Sequence, residues 1–242
     1  HFPFHQLALK SWTKGHGIFN VSPCCNSVRP EDMDPLKTAH YFEGDEKPTA
    51  KEMFHSPEMQ ELRESMLRGE RHPACNVCWK MEDRNPDNPS SYRLFSTPSS
   101  DMDIENPRLR TIDFMFGEEC NLRCRMCMPG LSNKLRHDYR FFHENGLDVT
   151  GISGFERRIP GSGEEWYIDK DSHKKVKHFD DGPQWQDILD NITDLRQIKA
   201  TGGETTLTKP FNQFLDRALE TGANHNIDMS FHTNATKFTN TL

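Results

Sequence analysis

Apolar positions in this chain change period from one stretch to the next. Within 109–116, Ile112, Phe114 and Phe116 recur at every second residue, and this predicts a strand. The segment 195–200 predicts another strand, and Ile227, Met229 and Phe231 predict a third. Helical spacing lies between them. Leu135, Tyr139 and Phe142 share one side of a polar helix over 132–142, and 184–192 reads as a short helix. Phe211, Phe214, Leu215, Ala218 and Leu219 mark an amphipathic helix, with Pro210 at its start and Gly222 past its end. Strands separated by amphipathic helices predict an α/β fold with a parallel sheet, whose ligands sit beyond the carboxyl ends of the strands.

The first part of the chain, to about Arg93, reads as irregular and rich in Pro, Asp and Asn, with one good helix. Ser56 is its cap, Pro57 suits the first helical position and Gly69 ends it. Met59, Leu62, Met66 and Leu67 form its expected buried stripe. The polar stretch 83–101 reads as a linker or surface loop. Residues 144–183 are glycine-rich, charged and without a clear period, which predicts an insertion that is either a lid, a partner surface or a solvated loop.

Composition narrows the classes. A net charge of −7 gives no basic face for nucleic acid. No apolar run approaches the ~20 residues of a membrane span. The start, HFPFHQLALKSW, has no long apolar core of a signal peptide and no initiator Met, so a fragment or a processed chain is expected. Seven cysteines, clustered as Cys24/Cys25, Cys75/Cys78 and Cys120/Cys124/Cys127, fit metal–thiolate chemistry in a reducing cytoplasm better than a secreted disulfide scaffold.

Three motifs fall just past three predicted strands: Cys120-x-x-x-Cys124-x-x-Cys127, Gly202-Gly203-Glu204, and Thr233-Asn234. Three close thiolates can hold three irons of a cubane cluster and leave one iron without a protein ligand, whereas ferredoxin clusters are normally closed by four cysteines. A structural zinc site wants four ligands; His137 is the nearest further donor, ten residues past the run and outside usual finger spacing. The bland reading of Thr233 and Asn234 is a loop cap, and that of Glu204 is a surface acid.

The run from Cys120 to Cys127 resembles the cluster motif of the radical S-adenosylmethionine (radical SAM) superfamily. Thr201 to Thr205 resembles that family's Gly-Gly-Glu motif, and Thr233-Asn234-Ala235 resembles the polar turn often found after its third strand. The resemblance covers about residue 109 to the end. It implies a partial (β/α) barrel with about three strand–helix units in 96–242, an insertion at about 144–183, and a chain that continues past Leu242. It also implies that Cys120, Cys124 and Cys127 ligate a 4Fe-4S cluster. S-adenosylmethionine would then bind the open iron, with Gly202, Gly203, Glu204, Thr233 and Asn234 around it. Met126 stands where the family commonly has an aromatic residue near the adenine. The implied reaction is reductive cleavage of S-adenosylmethionine to a 5′-deoxyadenosyl radical that abstracts hydrogen. The implied partners are an electron donor of flavodoxin or ferredoxin type and an unknown peptide or small-molecule substrate.

Residues 1–95 resemble the auxiliary-cluster region called SPASM or, when shortened, twitch, placed before the barrel as in a subset of such proteins, some of them viral. The resemblance rests on Cys24-Cys25, the helix, and Cys75-x-x-Cys78-Trp79. It implies a small irregular metal-binding region in which Cys24 (or Cys25), Cys75 and Cys78 hold a second iron–sulfur cluster or a zinc ion. The fourth ligand would be His1 or would lie upstream. The alternative of a different class is a non-catalytic, zinc-stabilised interaction module.

Overall fold

A computed structural model describes residues 2–4, 6–11, 19–24, 40–42, 49–95, 103–116, 119–127, 131–147, 156–157, 167–168 and 183–237. After a single turn at Phe2–Phe4 come strands β1 (Gln6–Ser11), β2 (Phe19–Ser22) and β3 (His40–Phe42). Helices α1 (Ala50–Phe54), α2 (Pro57–Leu67), α3 (Asn76–Arg84) and α4 (Tyr92–Phe95) follow. Then come β4 (Thr111–Met115), α5 (Asn133–Glu144), β5 (Glu156–Arg157), β6 (Tyr167–Ile168), α6 (Pro183–Asp190), β7 (Gln197–Thr201), α7 (Lys209–Thr221) and β8 (Asp228–Phe231).

The main sheet has the order β3-β2-β1-β4-β7-β8. Strands β1, β4, β7 and β8 run parallel, and β2 and β3 add an antiparallel flank. The mixed α/β class and the open parallel sheet expected from the periodicity are therefore present. A separate two-stranded ladder, β5 with β6, lies within 144–183, and most of the rest of that segment is outside the described residues.

The sheet's apolar face carries the core. Ile112 and Phe114 of β4 and Ile198 and Ala200 of β7 pack with Trp185 and Ile188 of α6 and with Phe211, Phe214 and Leu215 of α7. Trp185 lies edge-on to Phe114 at 5.2 Å and to Phe116 at 5.7 Å. Met53, Phe54, Met59 and Leu62, from α1 and α2, join the same cluster. Residues on both sides of position 95 thus share one sheet and one core. On the opposite face Gln6, Thr111 and Asp113 are also buried, as parallel sheets covered on both faces require. Asp113 is the charged one of these three. Its Oδ2 accepts no hydrogen bond and lies 3.9 Å from Nζ of Lys199, its register neighbour on β7.

Several expectations need correction. The first 95 residues are not irregular: they supply three strands and four helices. Thr49 begins α1 with a reciprocal capping box to Glu52. The α2 stripe ends early. Met59 and Leu62 are buried and Met66 partly so, but Leu67 is 62% exposed, and Arg63 and Ser65 take inward positions. Arg63 can do so because it donates to the carbonyls of Pro3 (2.7 Å) and Phe54 (2.6 Å). The expected loop 83–101 contains the end of α3 and the turn of α4. Leu219 is largely exposed at the margin of the α7 stripe. Among the described residues no helix is long and apolar enough to cross a membrane.

Candidate functional site

Because β4, β7 and β8 are parallel neighbours, their carboxyl ends open on one rim. The three motifs follow those three ends, and backbone bonds hold the loops as they leave the sheet. Phe116 N–H donates to the Thr201 carbonyl (2.9 Å), and His232 N–H to that of Ala200 (3.1 Å).

The cysteine loop is the most open part of the rim. Cys120 and Cys127 are half-buried and Cys124 is exposed, and none of the three is in a disulfide. Leu122 N–H donates to Cys120 Sγ at 3.5 Å. Cys127 N–H donates to the Cys124 carbonyl (3.0 Å). Asn133 Oδ1 accepts from Cys120 N–H at 3.2 Å. Ser132 Oγ donates to the Leu122 carbonyl at 3.3 Å and accepts from Leu135 N–H, so it caps α5 and docks the helix start on the loop. Met126 is 95% exposed, leaving its thioether available to a ligand on the rim.

The Gly-Gly-Glu turn is built differently. Gly202 has φ +126°, a conformation closed to residues with a Cβ, so glycine is required there. Glu204 is fully buried. Its Oε1 accepts from the Thr206 hydroxyl (2.6 Å), the Thr206 N–H (3.3 Å) and the Thr233 hydroxyl (2.6 Å), and its Oε2 from Asn234 N–H (2.6 Å). Burial works to raise its pKa, but these hydrogen bonds outweigh it and hold the carboxyl below the usual carboxylate range. Glu204 is therefore a carboxylate whose two oxygens are already engaged. Thr233 and Asn234 are likewise tied into the rim. Asn234 donates through Nδ2 to Asn121 Oδ1 (2.9 Å) and accepts at Oδ1 from Thr236.

The second cysteine group is partly assembled. Cys75 and Cys78 stand one turn apart at the start of α3, Cys75 half-buried and Cys78 buried, and Cys24 is buried after β2. Burial, and then the neighbouring Cys78, push the Cys75 thiol up. Trp79 donates to the His72 carbonyl (3.2 Å) and is covered by the guanidinium of Arg93 at 4.0 Å. Arg93 in turn pairs with Glu82, which accepts from Ser91. Cys25 and His1 lie outside the described residues.

Among the described residues, no three His, Cys, Asp or Glu side chains stand close enough to hold a metal ion. Without a cation, three thiols have nothing to draw them together; binding itself supplies the free energy that gathers such ligands. The donor chemistry of the first loop nonetheless suits a thiolate-ligated cluster with an open side: three sulfurs, one N–H on sulfur, and no fourth cysteine close by in the sequence. Sequence reasoning missed Asn121, Asn133 and Thr236. The only signal for them was polar character beside the motifs. Comparison of the chain with family models, with characterised proteins and with solved structures gives no match.

Proposed function

We propose that this chain is a radical SAM protein. Cys120, Cys124 and Cys127 would hold three irons of a 4Fe-4S cluster, leaving the fourth iron for S-adenosylmethionine. The observation that carries the reading is the convergence of the three motifs on the adjacent carboxyl ends of β4, β7 and β8. When bound, the cluster would pass one electron to the sulfonium, releasing methionine and a 5′-deoxyadenosyl radical that takes hydrogen from a substrate.

The chain's own residues supply binding and orientation. Gly202 and Gly203 let the backbone approach the methionyl group without a Cβ in the way. With Glu204 engaged by protein donors, the acceptor for the ammonium is a backbone carbonyl of this turn. Met126 would supply an exposed thioether for the adenine, and Thr233 and Asn234 would lie beside the bound group. Cys24, Cys75 and Cys78 would hold a second cluster or a zinc ion. An electron donor of flavodoxin or ferredoxin type and a reducing, cytoplasmic setting belong to the same reading, with a peptide or a small molecule as substrate.

Anaerobic reconstitution with iron and sulfide tests it. The expected product is brown, with about four irons per chain at the rim and more if the second site holds a cluster. Cys124→Ala removes the rim contribution. With dithionite and S-adenosylmethionine, the wild-type protein yields 5′-deoxyadenosine. A colourless protein carrying stoichiometric zinc, with no cleavage, overturns the proposal in favour of a zinc-stabilised module.

A further inference from the structure

The hydrogen bonds of the rim form a closed circuit. Glu204 N–H donates to the Glu119 carbonyl at 2.7 Å, joining the loop after β7 to the loop after β4. The Glu204 carboxylate accepts from the Thr233 hydroxyl and Asn234 N–H, both at 2.6 Å, joining the loop after β7 to the loop after β8. Asn234 Nδ2 donates to Asn121 Oδ1 at 2.9 Å, and Asn121 Nδ2 to the Thr236 hydroxyl at 2.6 Å, joining the loop after β8 back to the loop after β4. Each of the three loops is thus bonded to both others. Two of the three junctions pass through one residue, Glu204.

We infer that Glu204 is a positioning residue rather than a ligand-binding one, and that with Asn121 it fixes the cysteine loop against the other two loops before any ligand arrives. Three features carry this. The carboxylate is fully buried, so it has no open face toward a ligand. Every partner it has is a donor, so it is satisfied as an anion. And Asn121, between Cys120 and Leu122, is bonded through both ends of its amide to residues more than a hundred positions away. The Cys120 loop has further anchors to Ser132, Asn133 and Lys134 of the α5 region, but those are local in sequence. Among the described residues, the bonds of the circuit are what tie it to the turn that follows β8. A loop held from two sides keeps its three sulfurs near their working arrangement, which lowers the ordering cost of ligand binding. The consequence for S-adenosylmethionine rests on the functional reading above; the coupling of the loops does not.

The test is hydrogen–deuterium exchange on the whole chain, with the amides of residues 119–127 and 232–237 followed separately. Thr233→Val removes one hydroxyl from an exposed position without changing shape, and Thr233→Ser restores it. Losing a hydrogen bond to a buried carboxylate is expected to speed exchange across 119–127 by about tenfold or more in Thr233→Val, with Thr233→Ser at wild-type rates. Asn121→Ala should speed exchange across 232–237 in return, because coupling between sites is reciprocal. Changes confined to the substituted loop overturn the inference. If Glu204→Gln does not fold, the Thr233 and Asn121 variants still decide. A second readout is the electron paramagnetic resonance spectrum of the reduced, reconstituted protein. Thr233→Val should broaden or shift it, Thr233→Ser should not, and identical spectra in all three count against the positioning role. Should the wild-type chain take up no iron, the functional reading falls while the exchange results still judge the circuit.

Discussion

Glu204 shows how a single side chain can be legible in identity and illegible in role. The two glycines before it mark a tight turn at the strand end, and that much follows from the strand pattern and the φ of Gly202. Its partners Thr233 and Asn234 lie a whole α7–β8 unit away, and no local spacing announces them. The same holds for Asn121, whose neighbours in sequence are cysteines but whose bonds run to Asn234 and Thr236. A pH dependence follows from Glu204. Its carboxyl titrates lower in the folded chain than in the unfolded one, where about 4.5 applies. The stability it adds is therefore present above that unfolded value and is lost as pH falls through the lower, folded value. Glu204→Gln should cost about 2–3 kcal/mol at pH 7, because an amide puts a donor among donors. Melting temperatures of the two proteins should converge as the pH is lowered through the folded-state value, below 4.5; a constant gap would show that ionisation is not what matters.

Secondary elements were read best where amphipathic periods run long. α7 meets every expectation of its ends, with Pro210 in its first turn and Gly222 closing it in the left-handed conformation at φ +72°. α2 also begins where Ser56 and Pro57 said it would. Its inner face was misread because a buried arginine looks polar in a sequence. Arg63 is identified as an inward residue only by the carbonyls it meets, and burial has pushed its pKa down to about 10. This contrast predicts an order of effects. Ser56→Ala removes one cap bond and should cost about 1 kcal/mol. Arg63→Met leaves two buried carbonyls without donors and should cost about 2–4 kcal/mol. Urea denaturation of both variants checks the ranking, and equal midpoints would contradict the assigned role of Arg63.

At the scale of the molecule, the three parallel strands of the second half and the helices α6 and α7 were readable because their apolar runs close one core. The flank β3-β2-β1 was not. Gln6-Leu7-Ala8-Leu9-Lys10 alternates as a strand should, but its parallel partner is β4, about a hundred residues on, and a six-residue run cannot name so distant a neighbour. The shared core has a checkable consequence. Trp185 touches rings from β4 and α7 and lies in the cluster that α1 and α2 complete. Trp185→Ala should therefore cost about 3–5 kcal/mol. It should lower a single cooperative transition seen alike by aromatic and backbone circular dichroism, rather than splitting it in two. Asp113 points to a different economy within the same sheet. A covered strand chosen for rigidity alone would carry valine at its midpoint. This one keeps a carboxylate oxygen away from water and without a hydrogen-bond donor, at a handicap of about 1–3 kcal/mol. This face of the sheet is hydrophilic at the expense of robustness, so aliphatic replacement of Asp113 is a natural starting point for a hardier scaffold.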